Sequence, residues 1–536
     1  MARAASAAWL ASCLLATLAL AACAGKPSRP ACPAGQRCLE LGNGSEPLTL
    51  DPHRSTGTWE DRIIGDLLMG LTQDAPDATT IPGMAERWET SPDGLVWTFH
   101  LRAAQWSDGV PVTADDFVFS LRRMMSPGVA SEYAYLLYFI KNAEPVNENK
   151  LPVTALGVRA IDARTLEIRL EHPAPYLPEL AKHTTMLPLP RHVVERWGDA
   201  WSQPGHFVGN GAYTLQAWRL GDYVRVVKNP RFYDAGKVCF DRIDYLPTTD
   251  AISAERRVAR GELDINADIQ SNRVQLVRRT MPAYVRTHPY LVVSYLAFNI
   301  HDPGLAHREA RVALAMSIDR DFIAHKLLRG GQVPAVTMVP PYVANYAPAQ
   351  PPAWAAWPLE RRQAAARVLL RRIGYGPGHP LKIEIKHRNS PDPMLVMPAI
   401  QADWRAIGVD ATLAQNEVQI AYQAYRMRDF QVADAGWVAD FDDAMTWLGL
   451  ERSDTGEQNY GDYRNPAYDA LLNAADHEPD VRRRADDLRR AETLMLDDAT
   501  IAPTYFGDNR NLVNPAITGW VDNAVDHHRG RWLCRK

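Results

Sequence analysis

A chain of 536 residues is too long for one hydrophobic core, so two or three domains are expected. Its apolar fraction of 46% and charged fraction of 23% are those of a globular protein and exclude extensive disorder. The formal charge is only −4 with the signs well mixed, and there is no basic stripe or Gly-rich phosphate loop, which argues against nucleic acid.

The first element in chain order is an export signal over residues 1–22. Arg3 supplies a thin positive region, and Ala7 to Ala22 is a nearly unbroken apolar run ending in small residues. The ending Leu20-Ala21-Ala22-Cys23 resembles a bacterial lipobox, in which Cys23 becomes the lipidated first residue of the mature protein. Ordinary signal-peptidase cleavage and an uncleaved anchor helix are the alternatives. Nothing later looks like a membrane span. The segment after Cys23, Pro-rich and polar from Lys26 to Arg37, suits a tether over 23–37.

Beyond it, strand and helix patterns intermix, which makes the class α/β or α+β. Leu95 to Arg102 alternates apolar and polar residues like a half-buried strand, and Thr165 to Leu170 repeats the pattern. Asp115 to Met125 reads as a helix with Thr113 as N-cap. Residues 339–358 are Pro-rich and read as a long surface loop, while 359–373 and 477–498 read as charged amphipathic helices with solvated faces. Export also decides how the cysteines read. Cys13 leaves with the signal, and Cys32, Cys38, Cys239 and Cys534 remain in an oxidising compartment, where three disulfide pairings are open to them. Their spacing does not suit zinc.

The stretch Asp434 to Asp443, DAGWVADFDD, gathers four carboxylates around one indole. It lacks the Gly-punctuated alternation of a calcium loop, and no His-Glu-x-x-His or Gly-x-Ser-x-Gly signature occurs elsewhere. His527 and His528 beside Asp526 read as a polar surface tail. No catalytic residue, metal or cofactor is therefore assigned.

Several blocks, in order, resemble the large periplasmic oligopeptide-binding receptors of ABC importers, solute-binding protein family 5. They include Leu50-Asp-Pro-His53, Gly83-Met-Ala-Glu-Arg-Trp88, Trp106-Ser-Asp-Gly109, Asn210-Gly-Ala-Tyr-Thr-Leu215, Asn229-Pro-Arg-Phe-Tyr233, Ser317-Ile-Asp-Arg320 and Ala435-Gly-Trp-Val-Ala-Asp440. Most also read as plain scaffold: Ser107-Asp108-Gly109 is turn chemistry, and Asp319 and Arg320 open a helix. The resemblance implies an α/β, three-domain flytrap fold with a discontinuous domain I over 38–68, 190–291 and 507–536. An accessory domain II would span 69–189 and a second ligand-binding lobe, domain III, 292–506. It also implies a periplasmic peptide receptor, monomeric and, with the lipobox, lipid-anchored at Cys23, that serves membrane permease and ATPase subunits.

In that family the aspartate ending Ala-Gly-Trp-x-Ala-Asp meets the ligand's α-ammonium; here it is Asp440. Burying an ammonium is costly, and a fixed carboxylate offsets the cost. The backbone of Gly436 to Val438 would pair with the ligand main chain, while Trp437 walls a side-chain pocket or packs in the core. Tyr133 matches a tyrosine near the ligand's N-terminus, and Tyr505 lies where aromatic residues line the cleft. Arg426 falls where some members reach towards the ligand's C-terminal carboxylate, and reads equally well as a solvated arginine. Asp434 departs from the pattern, standing where an arginine is frequent. It either favours cationic ligands or pairs with Arg426 or Arg428. Thr56 and Ala297 replace glutamates, and Val292 and Val438 replace a disulfide of some members. Asp442 and Asp443 read as helix-start or surface acids. Another cargo on the same fold (a murein peptide, a dipeptide, a metal chelate or an opine-like solute) is the nearest alternative, and an exported peptide hydrolase the more distant one.

Overall fold

A computed structural model describes residues 31–478 and 480–536. The export signal and Cys23 lie outside the described residues. One 11-stranded sheet organises most of the molecule. From one edge its strands run Asp410–Asn416, Lys382–Arg388, Val432–Val438, Val285–Phe298, Ile501–Val513, Ile265–Asn266, Cys38–Gly44, Arg242–Pro247, Tyr223–Lys228 and Tyr213–Arg219, with Val333–Pro334 pairing beside Ile501–Val513. The order is far from chain order, so N-terminal and C-terminal segments interleave. Parallel pairs such as Cys38–Gly44 with Arg242–Pro247 sit beside antiparallel ones, as expected of a mixed α/β sheet.

Two long antiparallel strands, Val285–Phe298 and Ile501–Val513, carry the chain between the two halves of this sheet. Their ladder is interrupted between the pair Pro289↔Asp508 and the pair Val293↔Phe506. On one side of the break, separate apolar clusters cover the two faces of the sheet. Val293, Tyr295 and Ala435 pack with the helices Pro466–His477 and Val481–Asp498. Leu296, Phe298 and Tyr505 pack with Arg308–Ser317 and Pro391–Ala406.

A four-stranded antiparallel sheet, in the order Ala85–Thr90, Val96–Leu101, Thr165–Arg169 and Val158–Asp162, forms a separate layer. Trp97, Phe99 and Leu101 face its core, as the alternation predicts. The helix Ala114–Met124 covers it, held by a capping box between Thr113 and Asp116 and buried along Phe117, Val118, Leu121 and Met124.

Several sequence-level expectations are corrected. The segment 477–498 is not one helix: Pro466–His477 ends, Glu478 is extended as a residue before proline must be, and Asp480 caps Val481–Asp498. Residues 339–358 are not a free surface loop. Val339, Val343, Tyr346 and Ala349 are buried, because Glu492 accepts the backbone N–H groups of Met338, Val339 and Ala349 and the Tyr346 hydroxyl. Nor are His527 and His528 a surface tail. His527 bridges Asp74 (3.0 Å) and Asp61 (3.5 Å), and His528 stacks on Trp520 beside Asp526. The four cysteines pair Cys32–Cys38 and Cys239–Cys534. Because the Arg37 carbonyl also accepts the Asp241 N–H, the stretch read as the tether's end is already part of the folded body.

Candidate functional site

The strand Val432–Val438 pairs along its whole length with Val292–Phe298 on one side. On its other side, Lys382–Arg388 meets only Val432 and Ala433 and then diverges. Residues 434–438 are thus left with strand pairing on one side alone, and unpaired backbone groups of this kind are where an extended chain can add. Gly436 lies close to the paired strand: a Cβ there would stand 3.3 Å from the Val293 carbonyl oxygen. Val292 and Val438 stand directly opposite each other in the register.

Asp440 follows this edge. Its side chain is half-buried, yet burial by the surrounding protein pushes its carboxyl up to about 7, against a partial offset from the Thr446 hydroxyl. Thr446 also receives the Trp437 indole N–H at 3.2 Å and the Asp440 backbone N–H at 3.2 Å. Among the described residues no cation pairs with Asp440.

Tyr133 comes from the body that carries the four-stranded sheet. Burial and then the charge of Asp440 hold its hydroxyl well above the usual tyrosine range, and the same two causes act on Tyr135. Tyr422 and Tyr460 add to the effect on Tyr133. Asp440 is thus a carboxylate that faces two tyrosines carried by another body of the molecule, a cation-binding chemistry. The Tyr135 hydroxyl has no hydrogen-bond partner. Sequence reading missed Tyr135, Tyr422 and Tyr460. Tyr135 lies two residues from Tyr133, but only the tertiary arrangement brings the other two to the same place.

The remaining candidates separate. Trp437 is half-buried, packed at the rim of a core and fixed through Thr446. Arg426 holds Glu132 at 3.8 Å and Glu457 at 4.0 Å, loose contacts on a part-exposed side chain. Tyr505 is almost fully buried among the helices on the opposite face of the sheet. Asp434 corrects the expectation that it pairs with Arg426 or Arg428. It is fully buried and bonded at two points by Arg388, at 2.8 and 3.1 Å, and Arg388 also donates to the Tyr422 hydroxyl. A carboxylate neutralised in this way presents no free charge to a cationic ligand, which corrects that reading too. Asp442 accepts the Ala344 N–H, and Asp443 receives both Arg484 nitrogens while capping Met445, so neither is a free surface acid. Beside them Phe441 stacks on Tyr176 of the second body at 5.0 Å, closing the cleft from that side. Among the described residues no group of three His, Cys, Asp or Glu could hold a metal, and no helix is long and apolar enough to cross a membrane.

Residues 79–459 match the model of the bacterial extracellular solute-binding proteins, family 5. The chain is 35% identical to the periplasmic oligopeptide-binding protein OppA of Escherichia coli, over 91% of this chain and 90% of that protein. Its structure matches that of Haemophilus influenzae OppA in complex with the peptide RPPGFSPFR at a TM-score of 0.86 and 31% identity, covering 94% of this chain and 99% of the other. It matches the E. coli murein tripeptide binding protein MppA at 0.87 and 33% identity, over 94% and 99% of the two chains. Against the unliganded open form of MppA the score falls to 0.75, with 94% and 98% covered. The arrangement seen here therefore departs from that open form.

Proposed function

The chain belongs to the bacterial extracellular solute-binding proteins of family 5, and from that premise we propose that it is a periplasmic receptor that captures peptides and delivers them to an ABC permease. One observation carries this reading: among the described residues Asp440 is a carboxylate without a cation, facing Tyr133 and Tyr135, beside a strand edge left without a partner. A peptide supplies both missing halves, an α-ammonium for Asp440 and a main chain for Gly436 to Val438. Trp437, Tyr133 and Tyr135 then bound the first side chains, and Arg426 stands at the rim. Asp434 acts by holding Arg388, and Tyr505 by supporting the sheet beneath the site.

Domain I would comprise 38–68, 190–291 and 507–536, domain II 69–189 and domain III 292–506. The interrupted ladder at 290–292 and 507 supports a hinge there. Cys23 would carry a lipid anchor, which mass spectrometry of the mature N-terminus tests. The receptor itself catalyses nothing in this reading, ATP being hydrolysed by partner subunits.

Calorimetry with a free peptide and its N-acetylated twin tests the central assignment. The free peptide should bind, the acetylated one should fail, and Asp440→Ala should lose binding while keeping its fold. Equal affinity for the two peptides would remove the role given to Asp440.

A further inference from the structure

A second group of acids lies where the two halves of the large sheet meet. Asp268 and Ser271 come from the half that contains Cys38–Gly44. Asp392 comes from the first turn of Pro391–Ala406 in the other half, and Asp508 and Arg510 from the crossing strand Ile501–Val513. Arg510 stands 3.7 Å from Asp268, 3.6 Å from Asp392 and 3.8 Å from Asp508, all beyond good hydrogen-bond distance. Its firm bond goes to the Ser271 hydroxyl, which in turn donates to Asp392 at 2.7 Å. Three carboxylates thus share one guanidinium.

The clearest sign of a missing occupant is Asp508. It is 8% exposed, and among the described residues neither carboxylate oxygen has a hydrogen-bond partner; the Arg510 Nε–H beside it is also unmatched there. A buried group of this kind is expensive unless something completes it. Burial pushes the Asp508 carboxyl up to about 6. The Asp268 carboxyl is raised by the same cause, while 60% of its side chain stays accessible. The charges of Asp392, Asp434 and Arg388 all act on the Tyr505 hydroxyl, and Tyr505 pairs with Ser294, whose partner on its other side is Gly436 of the unpaired strand edge. Gly331, at φ 147°, backs onto Asp508, where a Cβ would come within 2.6 Å of the carboxylate.

We propose that Asp268, Asp392 and Asp508 around Arg510 form a second cation subsite of the cleft, which takes the lysine- or arginine-type side chain of a peptide whose α-ammonium sits at Asp440. The inference rests on the peptide reading above and narrows its cargo to peptides with an internal cationic residue. A side-chain ammonium is a good fit because it brings positive charge and several donors on a flexible stem into a space short of both.

Calorimetry with alanine-based pentapeptides, carrying lysine or uncharged norleucine at each internal position in turn, tests it. At one position the lysine peptide should bind about tenfold tighter than its norleucine twin, as one well-placed charge-assisted contact implies. That preference should disappear in Asp508→Asn and in Asp268→Asn, the second of which alters an accessible side chain and leaves the packed interior alone. Equal binding of the twins at every position, with norleucine peptides still bound, would overturn the subsite and leave the peptide reading standing. Survival of the preference in both variants would also overturn it. If no peptide bound at all, the peptide reading would fall and the subsite with it.

Discussion

Asp440 is held in a state that is poor for stability and suited to binding. Its folded-state pKa of about 7 lies above the ordinary 3.8, so between these values the folded protein keeps a proton that the unfolded chain has lost. The stability this group contributes is therefore present in acid and is lost as pH rises towards 7. At pH 8 the ionised carboxylate costs the unliganded protein on the order of a few kcal/mol, less whatever solvent in the cleft returns. Asp440→Asn should melt above the wild type at pH 8 and level with it near pH 4. In the role proposed for Asp440 peptide binding needs the ionised form, so wild-type affinity should fall by up to about tenfold per pH unit below 7. A flat calorimetric pH profile would count against an ammonium at Asp440. Asp434 illustrates the limit of reading single residues: its position in the motif suggested a free charge, and Arg388, 46 residues away in sequence, cancels it.

At the scale of elements, the local signals were legible. The alternation of Val96–Leu101 and the capping box of Ala114–Met124 are written within a few residues, so pattern and structure agree. The segment 338–349 was misread because its anchor, Glu492, lies about 150 residues away on another helix. Its single carboxylate accepts from three backbone N–H groups and a phenol, all of which would be stranded without it. Glu492→Ala should therefore cost roughly 3–5 kcal/mol in chemical denaturation, with protease sensitivity appearing first near residue 345. A loss below about 1 kcal/mol would mean that the loop is held by its apolar residues instead.

At the scale of the whole molecule, the two crossing strands are, among the described residues, the only long ladder shared by both halves of the large sheet, and its break falls at Gly507. A Cβ at that glycine would stand 2.4 Å from the Val292 side chain. Gly507→Ala should crowd the crossing, at a cost of about 1–3 kcal/mol shared between opening and distortion. The expected outcome is about tenfold weaker peptide binding and a larger unliganded radius of gyration by X-ray scattering. Unchanged values of both would show that closure does not bend at this point.

Sequence alone determined the class of fold, the capped helices and patterned strands, and the motif ending in Asp440, because each depends on residues close together in the chain. Tertiary structure decided which charges are free. Asp434, Asp442 and Asp443 are neutralised or tied by partners distant in sequence, whereas Asp440 and Asp508 are not. The physical reason is that burial makes every charge seek a partner, and the fold alone determines which partners lie within reach.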